Sequence, residues 1–123
     1  MTLYIYAATV QRVIDGDTVV LDVDLGFKTW HHGPFRLVGI NARELHSPGG
    51  LEARDNLMAL LPPGTSVGLS SVKPDKYAER YDAKIVMPDG SDLGELLVST
   101  SWAAVWDGRG SPTIPPWPRV AAS

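Results

Sequence analysis

The stretch Ile14-Asp15-Gly16-Asp17-Thr18-Val19-Val20-Leu21-Asp22-Val23-Asp24-Leu25 decides the fold. Val19, Leu21, Val23 and Leu25 alternate with Val20, Asp22 and Asp24, the period of two expected of a strand with one buried face. Upstream, Tyr4 to Ile14 is rich in aromatic and β-branched residues, and the two runs meet at Asp15-Gly16, a turn dipeptide that tolerates positive φ. The pattern predicts a hairpin.

Working outward, Gly26 to Pro34 reads as a loop and Phe35 to Ile40 as a third apolar strand. From Gly50 to Leu61 the spacing predicts a helix with Leu51, Leu57, Met58 and Leu61 on one face, ended by Pro62-Pro63-Gly64. Val67 and Leu69 mark a fourth strand and Ala83 to Met87 a fifth. Pro88-Asp89-Gly90 is a turn, after which Asp92 is placed to cap a short helix carrying Leu93, Leu96, Leu97 and Val98. Pro112, Pro115, Pro116 and Pro118 predict an extended or loosely ordered tail over 108–123, beyond a domain over 1–107. Periodicity alone supports a small β-rich barrel or sandwich. The order of parts is that of the oligonucleotide-binding (OB) fold, a mainly β (α+β) five-stranded barrel with two short helices.

Composition sets outer limits. The chain has 123 residues, 44% hydrophobic and 20% charged, which suits one domain of the common size of about 100–150 residues and excludes a disordered chain. No apolar run approaches the roughly 20 residues that span a bilayer, so no membrane partner is expected. Without cysteine there is no disulfide, thiolate zinc site or cysteine nucleophile. Met1-Thr2-Leu3-Tyr4-Ile5-Tyr6 has neither a basic leader nor a small-residue cleavage site, so a cytoplasmic location is expected, with secretion left open for a processed form. The net charge is −3, with 14 acidic residues against 11 Lys plus Arg. Bulk electrostatic capture of nucleic acid is therefore disfavoured, and a polyanion would need locally placed arginines or a bound cation.

The polar residues fall into place on this meander. Asp17 opens the second strand on the inward parity, and Asn41, Ala42, Arg43 and Glu44 follow the third, so antiparallel pairing brings them to one rim. An inward carboxylate is costly unless paired, hydrogen-bonded or metal-bound. Asp17, Asn41, a backbone carbonyl and Glu44 make an all-oxygen set suited to Ca²⁺ or Mg²⁺. On spacing alone the plainer reading is the stronger one: Asp17 accepts backbone N–H bonds beside the turn and Glu44 caps a loop. His31-His32 reads as a solvated loop, Asp22 and Asp24 as a solvated strand face, and Trp102 and Trp106 as core.

Three segments together carry a resemblance. Ile14 to Val19, then Phe35-Arg36-Leu37-Val38-Gly39-Ile40-Asn41-Ala42-Arg43-Glu44, then Asp75-Lys76-Tyr77 with Arg80 shortly after, resemble the staphylococcal nuclease (thermonuclease) family. The likeness continues through Pro88-Asp89-Gly90 and Gly94 to Val98, and covers roughly residues 10 to 106. It implies an OB-fold barrel and Ca²⁺-dependent hydrolysis of DNA and RNA to 3′-phosphate ends. It further implies Asp17, Asn41 and the Ala42 carbonyl as Ca²⁺ ligands, and Glu44 orienting or deprotonating the attacking water. Arg36 and Arg80 would grip the phosphate, with Lys76 and Tyr77 on terminal phosphate and sugar or base. The family commonly has aspartate where Asn41 stands and proline where Arg43 stands, which sets a third cation beside the site, for a flanking phosphate or for solvent. Ala78-Glu79 replaces a single glycine before Arg80. The family's type member has a third helix where this chain has its proline-rich tail, so dimer or partner contacts of the tail are expected to substitute. Asn41 and the added residue raise an alternative, a nuclease-like OB module that binds nucleic acid or protein without cutting.

Overall fold

The computed structural model describes residues 5–75 and 80–116. β1 (Tyr6–Asp15) and β2 (Thr18–Asp24) form the expected hairpin, paired from Ala8↔Val23 to Asp15↔Thr18. β2 pairs along its whole length with β3 (Trp30–Leu37), and β1 also pairs with β5 (Ser66–Pro74). β5 pairs with β6 (Tyr81–Val86), and a parallel β3–β6 pairing closes a five-stranded barrel in the order β1-β2-β3-β6-β5. Its interior is the period-two set read from the sequence, Val19, Leu21 and Val23 together with Phe35, Leu37, Leu69, Ala83 and Ile85. The fold is thus mainly β with two helices, an OB-like α+β architecture. Among the described residues no helix is long and apolar enough to cross a membrane.

Four local expectations are corrected. Gly26 to Pro34 is not a loop, because a tight connection at Leu25–Thr29 (Leu25 N–H to the Thr29 carbonyl, 2.9 Å) lets β3 begin at Trp30. Phe27 and Lys28 take positive φ there beside Gly26, whose N–H bonds to Asp24 Oδ1 at 2.8 Å, so the turn runs through two residues that rarely adopt that conformation. His32 consequently lies in β3 opposite Asp22, which also accepts two bonds from Gln11 Nε2 at 2.6 and 2.8 Å, while His31 packs edge-on against Phe35 and Tyr81. The third strand ends at Leu37 rather than Ile40. Gly39, at φ 80°, turns the chain into a separate β4 (Ile40–Ala42) that pairs with an unforeseen β7 (Ala103–Val105).

α1 (Gly50–Leu60) forms as expected but presents a different face. Leu57 and Leu61 are buried with Ala53 and Gly50, whereas Leu51 is 53% and Met58 47% exposed. The reason is close approach. A Cβ at Gly16 would stand 2.9 Å from the Cβ atoms of both Ala53 and Ala42, so α1 lies directly on the hairpin turn by its small residues. Gly16 itself is not at positive φ; the turn needs glycine for space rather than for conformation. α2 (Leu93–Ser99) is capped by Asp92, whose Oδ1 accepts the Glu95 N–H at 3.0 Å, as the sequence implied.

Candidate functional site

Asp17 lies where the hairpin turn feeds β2, 7% exposed and aimed into the rim. Its Oδ2 accepts the Ala42 N–H at 3.0 Å and faces Arg36 Nη2 at 3.5 Å, and its Oδ1 accepts the Thr18 hydroxyl at 3.2 Å. The Asp17 carbonyl also accepts the Leu37 N–H at 2.9 Å, tying the turn to the end of β3. The meeting of Asp17 with the segment after β3 is therefore real, and its bond is the one that the plainer reading described. Burial first, then the neighbouring Asp15, push the Asp17 carboxyl up to about 6, while the Arg36 charge and the Ala42 N–H pull it down.

Arg36 reaches this rim although it precedes Asn41 by five residues. The Gly39 turn doubles the chain back, and the guanidinium spans it, donating to the carbonyls of Leu37 (3.3 Å) and Ile40 (3.1 Å). It also lies over the Trp106 ring, 5.4 Å from the centroid. Trp106, expected in the core, is half-buried and serves as this platform, with its indole N–H donating to the Arg109 carbonyl at 3.0 Å. No sequence signal pointed to it, since β7, which delivers it, is only three residues long.

On its other side Arg36 lines an open cleft of about 600 Å³ with Lys73, Arg80, Asp82 and Trp106. Arg80 lines the same cleft, its Nε held 3.2 Å from Asp75 Oδ2. Asp82, opposite Arg36 in the β3–β6 register, was not foreseen. Its Oδ1 is buried without a hydrogen-bond partner, and burial followed by the bond and charge of Asp75 raises its carboxyl to about 6. Arg36 thus joins the two halves of the site, with Asp17 behind it and, in front, a cleft that sets Lys73, Arg80 and Arg109 among Asp75, Asp82 and Asp107.

The remaining expected residues are distributed as follows. Glu44 is exposed two residues beyond Ala42, its backbone carbonyl accepting both the N–H (2.9 Å) and the hydroxyl (2.6 Å) of Ser47. Asn41 donates its Nδ2 to the Thr113 carbonyl at 3.0 Å, and Arg43 donates Nη2 to the Pro115 carbonyl at 2.9 Å. Arg43 therefore meets the tail, rather than solvent or an open phosphate position. Lys76, Tyr77 and the Ala78-Glu79 pair lie outside the described residues.

Among the described residues no three histidine, aspartate or glutamate side chains gather as a ready metal cage. A hard cation would rely on Asp17 with the Asn41 side-chain oxygen and the Ala42 carbonyl, a donor set of suitable chemistry but low charge. No protein-family model and no curated protein matches the chain.

Proposed function

We propose that the protein is a Ca²⁺-dependent nuclease that hydrolyses phosphodiester bonds of DNA or RNA to 3′-phosphate ends. The observation that carries this reading is the buried Asp17 carboxylate set against Arg36, whose guanidinium also opens onto a cleft shared with Arg80. Arg36 and Arg80, lining one cleft with Arg109, suit the non-bridging oxygens of a phosphodiester, which gain negative charge as water adds. Arg36, braced by two carbonyls and Trp106, is the more rigid of the two. The exposed Glu44 carboxylate takes the proton of the attacking water, the P–O5′ bond breaks, and a proton from solvent completes the 5′-hydroxyl. Asp17, Asn41 and the Ala42 carbonyl would hold Ca²⁺, which when bound supplies charge neutralisation at the phosphate. Lys76 and Tyr77 are assigned to substrate by resemblance alone.

The test is digestion of labelled single-stranded DNA with Ca²⁺, with Mg²⁺ and with chelator, with Glu44→Gln run beside the parent. Expected are Ca²⁺-dependent cleavage to 3′-phosphate ends and a fall in turnover of about 10²–10⁴-fold in the variant, the range for loss of a general base. Cleavage unchanged by the substitution would remove Glu44 from the mechanism. A second reading, a module that binds without cutting, is favoured by one observation: the tail already engages Asn41 and Arg43. Retention of DNA without cleavage would establish it.

A further inference from the structure

The two rim positions that depart from the pattern the chain resembles both hydrogen-bond to the tail. Asn41 meets Thr113 and Arg43 meets Pro115, both pairs 72 residues apart, so the tail runs alongside 41–43 in the same direction. Side chains two apart on an extended segment share a face, and here alternate side chains meet alternate carbonyls. Thr113 and Pro115 offer carbonyl oxygens, which only accept, so the partners must donate. An aspartate at position 41 would set acceptor against acceptor, and a proline at 43 would bring no donor. Pro115 is fully buried while Gly110 to Ile114 and Pro116 are exposed, which marks a seat and not a loose end. The guanidinium reaches the tail through Nη2, while its Nε is buried and makes no hydrogen bond.

We propose that residues 113–115 form an intrachain strap seated on Asn41 and Arg43, and that the strap withholds the Arg43 guanidinium from nucleic-acid phosphates at the rim. The strap stands on the contacts themselves; its gating role rests on the nuclease reading of the same site. With the strap seated, one Nδ2 hydrogen of Asn41 is taken up by Thr113, and its side-chain oxygen stays available to a ligand. With the strap lifted, Arg43 gains a free fork of donors for a phosphate beside those held by Arg36 and Arg80.

The test compares the full chain with a chain ending at Gly110, using fluorescence anisotropy of a short labelled single-stranded oligonucleotide in chelator, where nothing is cut. Removal of the strap is expected to tighten binding about tenfold, the effect of one charge-assisted contact. It should also steepen the logarithmic salt dependence by about one phosphate contact. Adding Arg43→Ala to the shortened chain is expected to abolish both gains. Should the shortened chain fail to fold, the full-length Pro115→Ser variant replaces it, with faster trypsin cleavage after Arg109 reporting that the strap has lifted. Equal affinity in parent and strap-free protein overturns the gate alone, as does a gain that survives Arg43→Ala. Trypsin cleavage unchanged by Pro115→Ser overturns the strap. If neither chain binds the oligonucleotide in chelator, the gate is overturned, while the nuclease reading stands or falls on the Ca²⁺ cleavage assay.

Discussion

Asp17 is held at a cost that its surroundings do not fully offset. Its folded carboxyl, raised from 3.8 to about 6, binds a proton more tightly than in the unfolded chain. The associated stability is therefore present below pH 3.8 and lost as pH rises through 6. Asp17→Asn keeps an oxygen for the Ala42 N–H and removes the buried charge, so urea denaturation is expected to show a gain of about 1–3 kcal/mol at neutral pH. That gain should disappear near pH 4, and stabilisation by added Ca²⁺ should be lost with it. A variant less stable than the parent at neutral pH would mean that the Arg36 pairing outweighs burial. Arg36→Lys tests the neighbouring side chain. Lysine keeps the charge but cannot span two carbonyls, face Asp17 and lie on Trp106 together. Turnover should drop by more than about tenfold, with a stability loss of about 1 kcal/mol, typical of one hydrogen bond. Equal turnover in the variant would make Arg36 a brace for the turn and no more.

At the scale of elements, α1 supports the segment that bears Glu44. A Cβ at Gly50 would stand 1.8 Å from the Glu44 carbonyl oxygen, a distance that no side chain can occupy. The helix start and the Glu44 backbone must therefore separate in Gly50→Ala, even though alanine is the better helix former. The expected result is a stability loss of about 1–3 kcal/mol, the range for overpacking, together with a fall in turnover beyond that explained by unfolded protein. Wild-type turnover in a folded Gly50→Ala protein would show that Glu44 needs no such support. This contact also explains how the helix could be read correctly and its face wrongly. Gly50 and Ala53 carry little hydrophobic signal, yet their smallness decides which side lies on the hairpin, and Leu51 and Met58 are left outside.

For the whole molecule, a net charge of −3 means that nucleic acid is not drawn in by the surface at large. Under the proposed reading, binding would come from the cleft, where Arg36 and Arg80 would meet a phosphate among the lining acids Asp75, Asp82 and Asp107. With two phosphate contacts, the affinity for single strands should fall with salt at a logarithmic slope near about −1.4. A much steeper slope would place a larger cationic surface elsewhere, and a flat one would remove the arginines from the interface.

The sequence by itself determined the strands and their buried face, because a period of two can be read without knowing what a strand will pair with. The choice of barrel over sandwich came with the parallel β3–β6 pairing that closes it. Val19, Leu21 and Val23 point inward in any pairing that buries them, and Asp17 shares their parity. The Asp92 cap was equally legible, since its bond to Glu95 is local. What only the tertiary structure decided involves partners distant along the chain. Trp106 under Arg36, Asp82 beside it, β7 against β4, and the tail on Asn41 and Arg43 are meetings that no local pattern encodes. Each depends on how the closed barrel brings remote segments to one rim. The residues that look like departures in the sequence acquire partners only there.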